Sequence, residues 1–309
     1  MADTAFHAKG KLLLTGEYAV LDGAEALAIP TQLGQQLEII SELSGQADHL
    51  SWRSYDVDEQ CWFDAKFDVQ SGNCLESTDA TIAERLVQLF QIILKKQPNF
   101  LSNYQGDQIN TQLEFPRLWG LGTSSTLVHL LSQWAAVNPF ELQFAVFGGS
   151  GYDIACAGAK QSILYQKLNG KSIFQEVDFK PDFLDQLYFI YLDKKQDSRK
   201  GIAHYRQNSQ QQAQLIPQIT ALTQAFLAAS TLQEAEQILL THERLIADTL
   251  KMERVQSLYF RDYWGVIKSL GAWGGDFVLA TSRRSVEETK TYFQDRGFHT
   301  FFKYEDLLL

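Results

Sequence analysis

Residues 119–126 read WGLGTSST, and they are the most informative stretch of the 309-residue chain. Gly120 and Gly122 let the backbone approach a ligand closely, because glycine carries no Cβ atom. The three hydroxyl residues that follow fall at the predicted start of an amphipathic helix, where free N–H groups and the helix dipole attract phosphate. A hydroxyl at that place also ligates Mg²⁺ in other phosphate-binding loops. The alternative interpretation is a Thr or Ser that only caps the helix after a tight turn.

Other nucleotide-binding motifs are missing from the sequence. No G-x-x-x-x-G-K-[ST] string occurs; residues 170–172, GKS, come closest, but Tyr165 stands where the first glycine should be. The lack of G-x-G-x-x-G argues against a Rossmann dinucleotide site, and the protein-kinase strings H-R-D and D-F-G are also missing. His242 and Glu243 begin like a zinc-protease motif, but Ile246 replaces its second histidine.

Three further segments surround this stretch. Residues 148–153, GGSGYD, use flexible glycines to deliver Asp153, which can orient a substrate hydroxyl and accept its proton; the alternative is a loop Asp that caps the next turn. Residues 271–276, GAWGGD, precede a predicted strand and by themselves are often only a turn. Lys11, within residues 8–23 (AKGKLLLTGEYAVLDG), can carry its charge to a phosphate or to Asp153, although a solvated lysine is the usual alternative.

The composition sets limits on the class of protein. Lys and Arg total 27 against 37 Asp and Glu, a formal net charge of −10 that makes a general nucleic-acid or anionic-membrane binder a poor candidate. A hydrophobic content of 45% is enough for a sizeable core. The 3 cysteines have no metal-ligand spacing, and no apolar run reaches the ~18 residues of a membrane span. We therefore expect a cytoplasmic protein with reduced thiols.

Hydrophobic periodicity predicts two parts and an α+β class. The first part is rich in short strands, among them residues 25–29 and 35–40 as separate strands, with a helix capped by Asp79 and a hairpin whose turn is Asn169-Gly170. The second part has two long helices, the second opening at Thr231, and a strand–helix–strand end. We place the boundary near residue 180.

The order of the four segments resembles that of the GHMP kinases, named for galactose, homoserine, mevalonate and phosphomevalonate kinases. Residues 10–23 match the first family motif, with Lys9 replacing a proline just before them. Residues 120–125 resemble G-[LM]-G-S-S-A, with Thr123 and Ser125 as departures, and residues 271–276 resemble G-A-G-G-G-[DC], with Trp273 replacing a glycine. Residues 151–155, GYDIA, are similar to the signature of the GYDIA-type subgroup.

The resemblance implies a two-domain α+β fold. Residues 1–180 should form an N-terminal, ATP-binding domain like ribosomal protein S5 domain 2, and residues 181–309 a ferredoxin-like C-terminal domain. It also implies transfer of the γ-phosphoryl group of ATP to a hydroxyl or phosphate acceptor, with phosphomevalonate or mevalonate favoured, in isoprenoid precursor synthesis. The alternatives are a homoserine or sugar kinase on the same fold, or a catalytically weak relative that binds nucleotide or metabolite for regulation.

The resemblance assigns roles to individual residues. It implies Asp153 as the catalytic base and Lys11 as its charge partner. The ATP phosphates are assigned to Gly120, Leu121, Gly122, Thr123, Ser124 and Ser125. The substrate is assigned to Glu17, Tyr18, Ser150, Gly151, Gly271, Ala272, Gly274 and Gly275. Arg199 and Lys200 are a hypothesis for binding a substrate phosphate or carboxylate, with a solvated loop as the alternative.

Two departures from the family pattern bear on the cofactor and the pocket. Mevalonate kinases place a Mg²⁺-ligating Glu where this chain has Leu142, so Glu141 is the candidate carboxylate beside the Ser124 hydroxyl. Trp273 either narrows the substrate pocket or fills a gap in packing. The expected partners are ATP, Mg²⁺ and a small-molecule substrate, with no nucleic acid and no membrane, in a monomer or homodimer.

Overall fold

The computed structural model describes residues 4–41, 48–194, 198–208 and 212–309, without the side chains of residues 198, 199, 212 and 213. The strands within these residues are β1 (Thr4–Leu13), β2 (Ala26–Ile40), β3 (His49–Tyr55), β4 (Cys61–Asp68), β5 (Cys74–Ser77), β6 (Gln108–Leu113), β7 (Ile163–Leu168), β8 (Lys171–Glu176), β9 (Leu187–Tyr191), β10 (Ile267–Ser269), β11 (Phe277–Thr281) and β12 (Phe301–Lys303). The α-helices within them are α1 (Ala80–Lys96), α2 (Thr123–Trp134), α3 (Pro139–Val146), α4 (Tyr152–Ala157), α5 (Ser198–Gln207), α6 (Gln212–Ala228), α7 (Leu232–Leu250), α8 (Val255–Tyr259), α9 (Val286–Gln294) and α10 (Tyr304–Leu307).

The chain divides into two compact units, each discontinuous in sequence. The first unit comprises Met1–Gly10, Leu33–Arg117 and Gly122–Gly158. The second comprises Lys11–Gln32, Leu118–Leu121 and Ala159–Leu309. The predicted division at residue 180 stays a prediction, because compact units and family domains need not share boundaries.

The first unit packs helices against one face of a sheet with the strand order β5-β4-β3-β6-β2. Only the β3–β6 pair is parallel among these pairings, and β2 enters through Gln35–Ile40. Buried and accessible residues alternate along β3 and β4, as a half-buried strand requires. Helix α1 begins where predicted, because the Asp79 carboxylate accepts hydrogen bonds from the amides of Thr81 and Ile82.

The second unit contains the β7–β8 hairpin and a small antiparallel sheet of order β10-β11-β9-β12. The predicted hairpin turn is confirmed: Asn169 and Gly170 have φ of 50° and 76°, as a type I′ turn needs. Every residue of β9 and β11 is buried. Helix α7 opens with the predicted capping box of Thr231 and Glu234.

Two sequence-based expectations about local structure were wrong. The runs 25–29 and 35–40, predicted as separate strands, form the single 15-residue strand β2. Pro30 lies between the stretch of β2 that pairs with β7 and the stretch that pairs with β6. Its missing N–H therefore removes no hydrogen bond from either strand pairing. Helix α3 was missed, although Asn138 caps it and Pro139 occupies its first turn, both recognised start signals.

The predicted α+β class is confirmed. None of the helices in the described ranges is both long enough and apolar enough to cross a bilayer.

Candidate functional site

The N-terminus of α2 in the first unit carries the predicted phosphate-binding residues. Its cap is Gly122, whose φ of 104° is left-handed, and no side chain caps the helix. The first hydrogen bond of the helix runs from the Thr126 amide to the Gly122 carbonyl (2.9 Å). The amides of Thr123, Ser124 and Ser125 therefore precede the helical ladder, in the position where helices bind anions.

The hydroxyls of this first turn divide into two kinds. Ser125 is buried, and its Oγ donates to the Gly122 carbonyl at 2.8 Å. Thr126 is also buried and donates to Gln35 Oε1 at 2.6 Å. Ser124 is exposed. Ser124 is thus the most accessible hydroxyl of the turn, Thr123 is half-buried, and Ser125 can contribute only its backbone amide.

Asp153 is the second residue of α4, whose N-cap is Gly151 with a φ of 94°. Its Oδ1 accepts a hydrogen bond from the Ile154 amide (3.1 Å). Helix α4 packs against α2. The two helices approach each other closely, because a Cβ on Gly158, the C-cap of α4, would lie 2.6 Å from the ring of His129 on α2. The predicted base and the phosphate-binding turn are therefore carried by two packed helices of one unit.

Lys11 lies beside the glycine segment in the second unit. Its Nζ donates to the Gly120 carbonyl at 2.7 Å, and its amide donates to the Leu121 carbonyl at 2.9 Å. Gly120 has a φ of 70°, and Asp276 occupies the space where a side chain would be. The segment is held further by Trp119, whose ring packs edge-on against Phe277 with centroids 5.8 Å apart.

We expect Gly120→Ala to destabilise the protein by about 2–3 kcal/mol. The new Cβ would lie 2.5 Å from Asp276 Oδ2, and alanine would have to adopt a left-handed φ. Gly170→Ala is the matched control, since it has the same sign of φ with nothing within 4 Å, and should cost about 1 kcal/mol. Urea unfolding measures both. Equal costs for the two variants would show that the Asp276 contact is unimportant.

The glycine loop of residues 271–276 packs on the first sequence motif within the second unit. The Trp273 amide donates to Tyr18 Oη at 3.1 Å, and the Tyr18 ring stacks on Tyr205 with centroids 5.7 Å apart. Trp273 is 4% exposed and belongs to the hydrophobic cluster that contains both tyrosines. Of the two alternatives for Trp273, the structure therefore supports packing. Gly271 and Gly274 have φ of 63° and 88°, which explains the glycines.

A buried charged cluster anchors the first motif, and the sequence did not predict it. Glu17 forms an ion pair with Lys268 of β10, and both side chains are fully buried. The Gly16 amide donates to His242 Nε2 at 2.9 Å, and Glu17 Oε2 lies 3.4 Å from the same nitrogen. Glu243 accepts hydrogen bonds from the amide (3.2 Å) and the hydroxyl (3.0 Å) of the residue after Lys268. The predicted contact between Glu17 and substrate stays a prediction, and this internal ion pair counts against it.

The cluster holds two carboxylates and one ammonium group. Burial raises the pKa of Glu17 despite the opposing charge of Lys268. Burial likewise raises the pKa of Glu243 to about 7 and lowers that of His242 well below its ordinary value. A single proton shared by Glu17 and Glu243 would leave the cluster neutral, which is the favourable state for buried groups.

The remaining predicted residues have different surroundings. Glu141, in the first turn of α3, forms an ion pair with Lys96. Lys200 is exposed on α5, and the Arg199 side chain lies outside the described part of the structure. Within the described residues, no group of three or more His, Cys, Asp or Glu side chains could hold a metal ion. Ser124 and Glu141 stay the predicted Mg²⁺ ligands.

The predicted site residues are shared between the two units. The first unit holds Gly122, Thr123, Ser124, Ser125, Glu141, Ser150, Gly151 and Asp153. The second holds Lys11, Glu17, Tyr18, Gly120, Leu121, Arg199, Lys200, Gly271, Ala272, Gly274 and Gly275. Because Lys11 and Asp153 belong to different units, their pairing stays a prediction. The sequence did contain a signal for the buried charged cluster that was missed. Lys268 is a charged residue that directly follows the apolar pair Val266-Ile267, and such a charge often has a buried partner.

No protein-family model and no curated protein sequence matches the chain. Solved structures match it along almost its whole length. The Listeria innocua protein Lin0012 has a TM-score of 0.73 at 14% identity, with 97% of each chain covered. Streptococcus pneumoniae phosphomevalonate kinase, in complex with phosphomevalonate and AMPPNP, has a TM-score of 0.70 at 19% identity, with 97% of this chain and 99% of that chain covered. Methanococcus jannaschii mevalonate kinase has a TM-score of 0.68 at 14% identity, with 97% of each chain covered. The chain has the GHMP kinase fold.

The GHMP kinase fold confirms the predicted two-domain α+β architecture. At identities of 14–19% the likeness concerns the fold, and activity has to be argued from the residues. Those residues are the uncapped first turn of α2, Asp153 on α4 and Lys11 beside Gly120.

Proposed function

We propose that this chain is an ATP-dependent small-molecule kinase of the GHMP type, with phosphomevalonate or mevalonate as the favoured acceptor. The observation that carries the proposal is the N-terminus of α2, which has a left-handed glycine cap, no capping side chain and an exposed Ser124. A helix start of this kind offers amides and a positive dipole end to an anion.

The chain's own groups have separate tasks in this proposal. The amides of α2 and the Ser124 hydroxyl bind and orient the phosphate chain. Asp153 accepts the proton of an acceptor hydroxyl; where the acceptor is a phosphate, it accepts a hydrogen bond from the P–OH group of the singly ionised form and so orients it. Lys11 supplies positive charge to a phosphate or to Asp153. When bound, ATP supplies the phosphoryl group and Mg²⁺ neutralises part of its charge.

The position of helix α5 in the second unit and one similar solved structure both support an anionic acceptor. Helix α5 lies against Tyr18 of the first motif, because Gly201 has no room for a Cβ beside the Tyr18 hydroxyl. Lys200, on the same helix, is exposed. The similar Streptococcus pneumoniae protein is a phosphomevalonate kinase whose structure holds phosphomevalonate and AMPPNP. Together they favour phosphomevalonate over an uncharged sugar.

The proposal is tested by ADP release from Mg·ATP with a panel of acceptors. The panel contains mevalonate, 5-phosphomevalonate, homoserine, galactose and a sugar phosphate. Turnover with one acceptor fixes the reaction class and the substrate together. Binding of Mg·ATP without turnover on any acceptor would contradict the kinase proposal for this panel and favour a regulatory relative.

We expect Ser124→Ala to raise the KM for Mg·ATP by about 10–100-fold, because it removes the one exposed hydroxyl of the α2 turn that can meet a charged ligand. Glu141→Gln tests the predicted carboxylate ligand, and we expect little change because Glu141 already binds Lys96. Ser77→Ala, at an exposed position of β5, is the control. An unchanged KM in Ser124→Ala would remove this residue from the site, and a large loss in Glu141→Gln would restore Glu141 as a ligand.

A further inference from the structure

A cavity of about 560 Å³ lies in the second unit where α7, α8 and the start of β10 meet. Three of its lining residues are arginines, Arg244, Arg254 and Arg261, and its one carboxylate is Glu253. The lining therefore has a formal charge of +2, although the whole chain carries −10. None of these residues belongs to the machinery proposed for phosphoryl transfer.

Two of these arginines differ from every other arginine whose side chain is described. Arg53, Arg206, Arg283 and Arg296 pair with carboxylates, Arg85 binds Gln88, and Arg117 and Arg284 lie over tryptophan rings. Arg261 donates to the Ser257 carbonyl and has Glu253 at 3.8 Å. Among the arginines whose side chains are described, only Arg244 and Arg254 have no hydrogen bond, ion pair or ring contact, and both line this cavity.

The wall of the cavity is fixed by hydrogen bonds between one side chain and the backbone. The Gln256 side chain donates to the Gly265 carbonyl at 2.9 Å and accepts from the Ile267 amide at 3.1 Å. These bonds tie α8 to the start of β10, so the segment that carries Arg254 is held in place.

We propose that this arginine cavity binds a small anion that carries two or more negative charges, with a phosphate or diphosphate group as its recognised part. Guanidinium groups suit phosphate because they present paired donors in a planar fork. A volume of about 560 Å³ is large enough for a diphosphate group. The cavity also touches two elements of the buried cluster, since Arg244 follows Glu243 on α7 and Val266 precedes Lys268 by two residues.

The test is calorimetric titration of the full chain with sodium pyrophosphate. We expect saturable binding that weakens as salt rises, and a loss of affinity of at least about 10-fold for each of Arg244→Ala and Arg254→Ala. Arg53→Ala, which removes an exposed arginine of the first unit, should leave the affinity unchanged. Arg244→Lys combined with Arg254→Lys keeps the charge and should bind with intermediate affinity, which separates binding from misfolding.

Three outcomes would overturn the proposal. The first is an absence of pyrophosphate binding to the wild type. The second is full affinity in Arg244→Ala combined with Arg254→Ala, with loss of binding in Ser124→Ala instead, which would place the anion at α2. The third is tighter binding of a polyglutamate peptide than of pyrophosphate, which would identify an acidic protein partner. The proposal does not depend on ATP turnover, so the failure of either proposal leaves the other intact.

Discussion

Replacing Asp153 by Asn should lower kcat for phosphoryl transfer by about 10²–10⁴-fold, the usual contribution of a positioned general base. The substitution keeps the size of the side chain and an oxygen that can accept from the Ile154 amide, so α4 should still form. It removes the negative charge and the basicity by which an acceptor hydroxyl loses its proton; with a phosphate acceptor, which is already ionised, the loss should lie at the lower end of this range. The KM for Mg·ATP should change little, because Asp153 is not assigned to the phosphate-binding turn.

The measurement is steady-state ADP release with the acceptor that the panel identifies, accompanied by thermal unfolding of each variant. Asp58→Asn is the control, since Asp58 is an exposed loop carboxylate in the same unit. Wild-type kcat in Asp153→Asn would exclude Asp153 as the base. A fall in kcat accompanied by a large drop in the unfolding temperature of Asp153→Asn would point to a folding defect instead.

Replacing Lys268 by Met should destabilise the protein by about 3–5 kcal/mol, because it leaves the carboxylates of Glu17 and Glu243 buried without their cation. Methionine retains most of the length and apolar volume of the lysine side chain, so the cavity left behind is small. Lys66→Met removes an ammonium from an exposed ion pair with Glu76 and should cost less than about 1 kcal/mol.

The double variant Glu17→Gln with Lys268→Met separates charge from packing. Because it removes the buried anion together with its cation, most of the lost stability should return. Urea unfolding of the two single variants and the double variant gives the coupling free energy. A double variant no more stable than Lys268→Met would show that the loss comes from packing.

The same cluster predicts how stability depends on pH. Glu243 has a folded-state pKa of about 7, above its ordinary value, so the native state binds a proton that the unfolded state has released. The stability from that proton is complete below the ordinary pKa and is lost as pH rises through about 7. His242, whose folded pKa is lowered, acts only below its ordinary value of 6.5, where its stabilising effect falls as pH falls. Between about pH 6.5 and 8 the carboxylate effect should dominate, at roughly 1 kcal/mol.

Glu243→Gln should flatten this slope, because the amide does not titrate. Unfolding free energies at pH 6.5 to 8 for the wild type and the variant provide the comparison. A slope that persists unchanged in Glu243→Gln would assign the bound proton to Glu17, whose pKa burial also raises.

Sequence alone determined the features that depend on a few neighbouring residues. The capped starts of α1 and α7, the Asn169-Gly170 turn and the start of α2 after Gly122 follow from local backbone and hydrogen-bonding rules. The order of the glycine segments indicated the GHMP kinase fold, because each segment keeps its own pattern of residue types.

Tertiary structure decided which of the candidate side chains face a ligand and which are buried. Ser124 and Ser125 are adjacent hydroxyls, yet one is exposed and the other donates to Gly122, which depends on where the helix turn points. Glu17, whose predicted contact with substrate stays a prediction, pairs with Lys268, 251 residues away. Trp273 packs in the hydrophobic cluster that contains Tyr18 and Tyr205. Arg244 and Arg254, which have no partner among the described residues, line the same cavity. Such contacts join residues far apart in the chain, and spacing and residue type do not specify them because each depends on how whole elements pack.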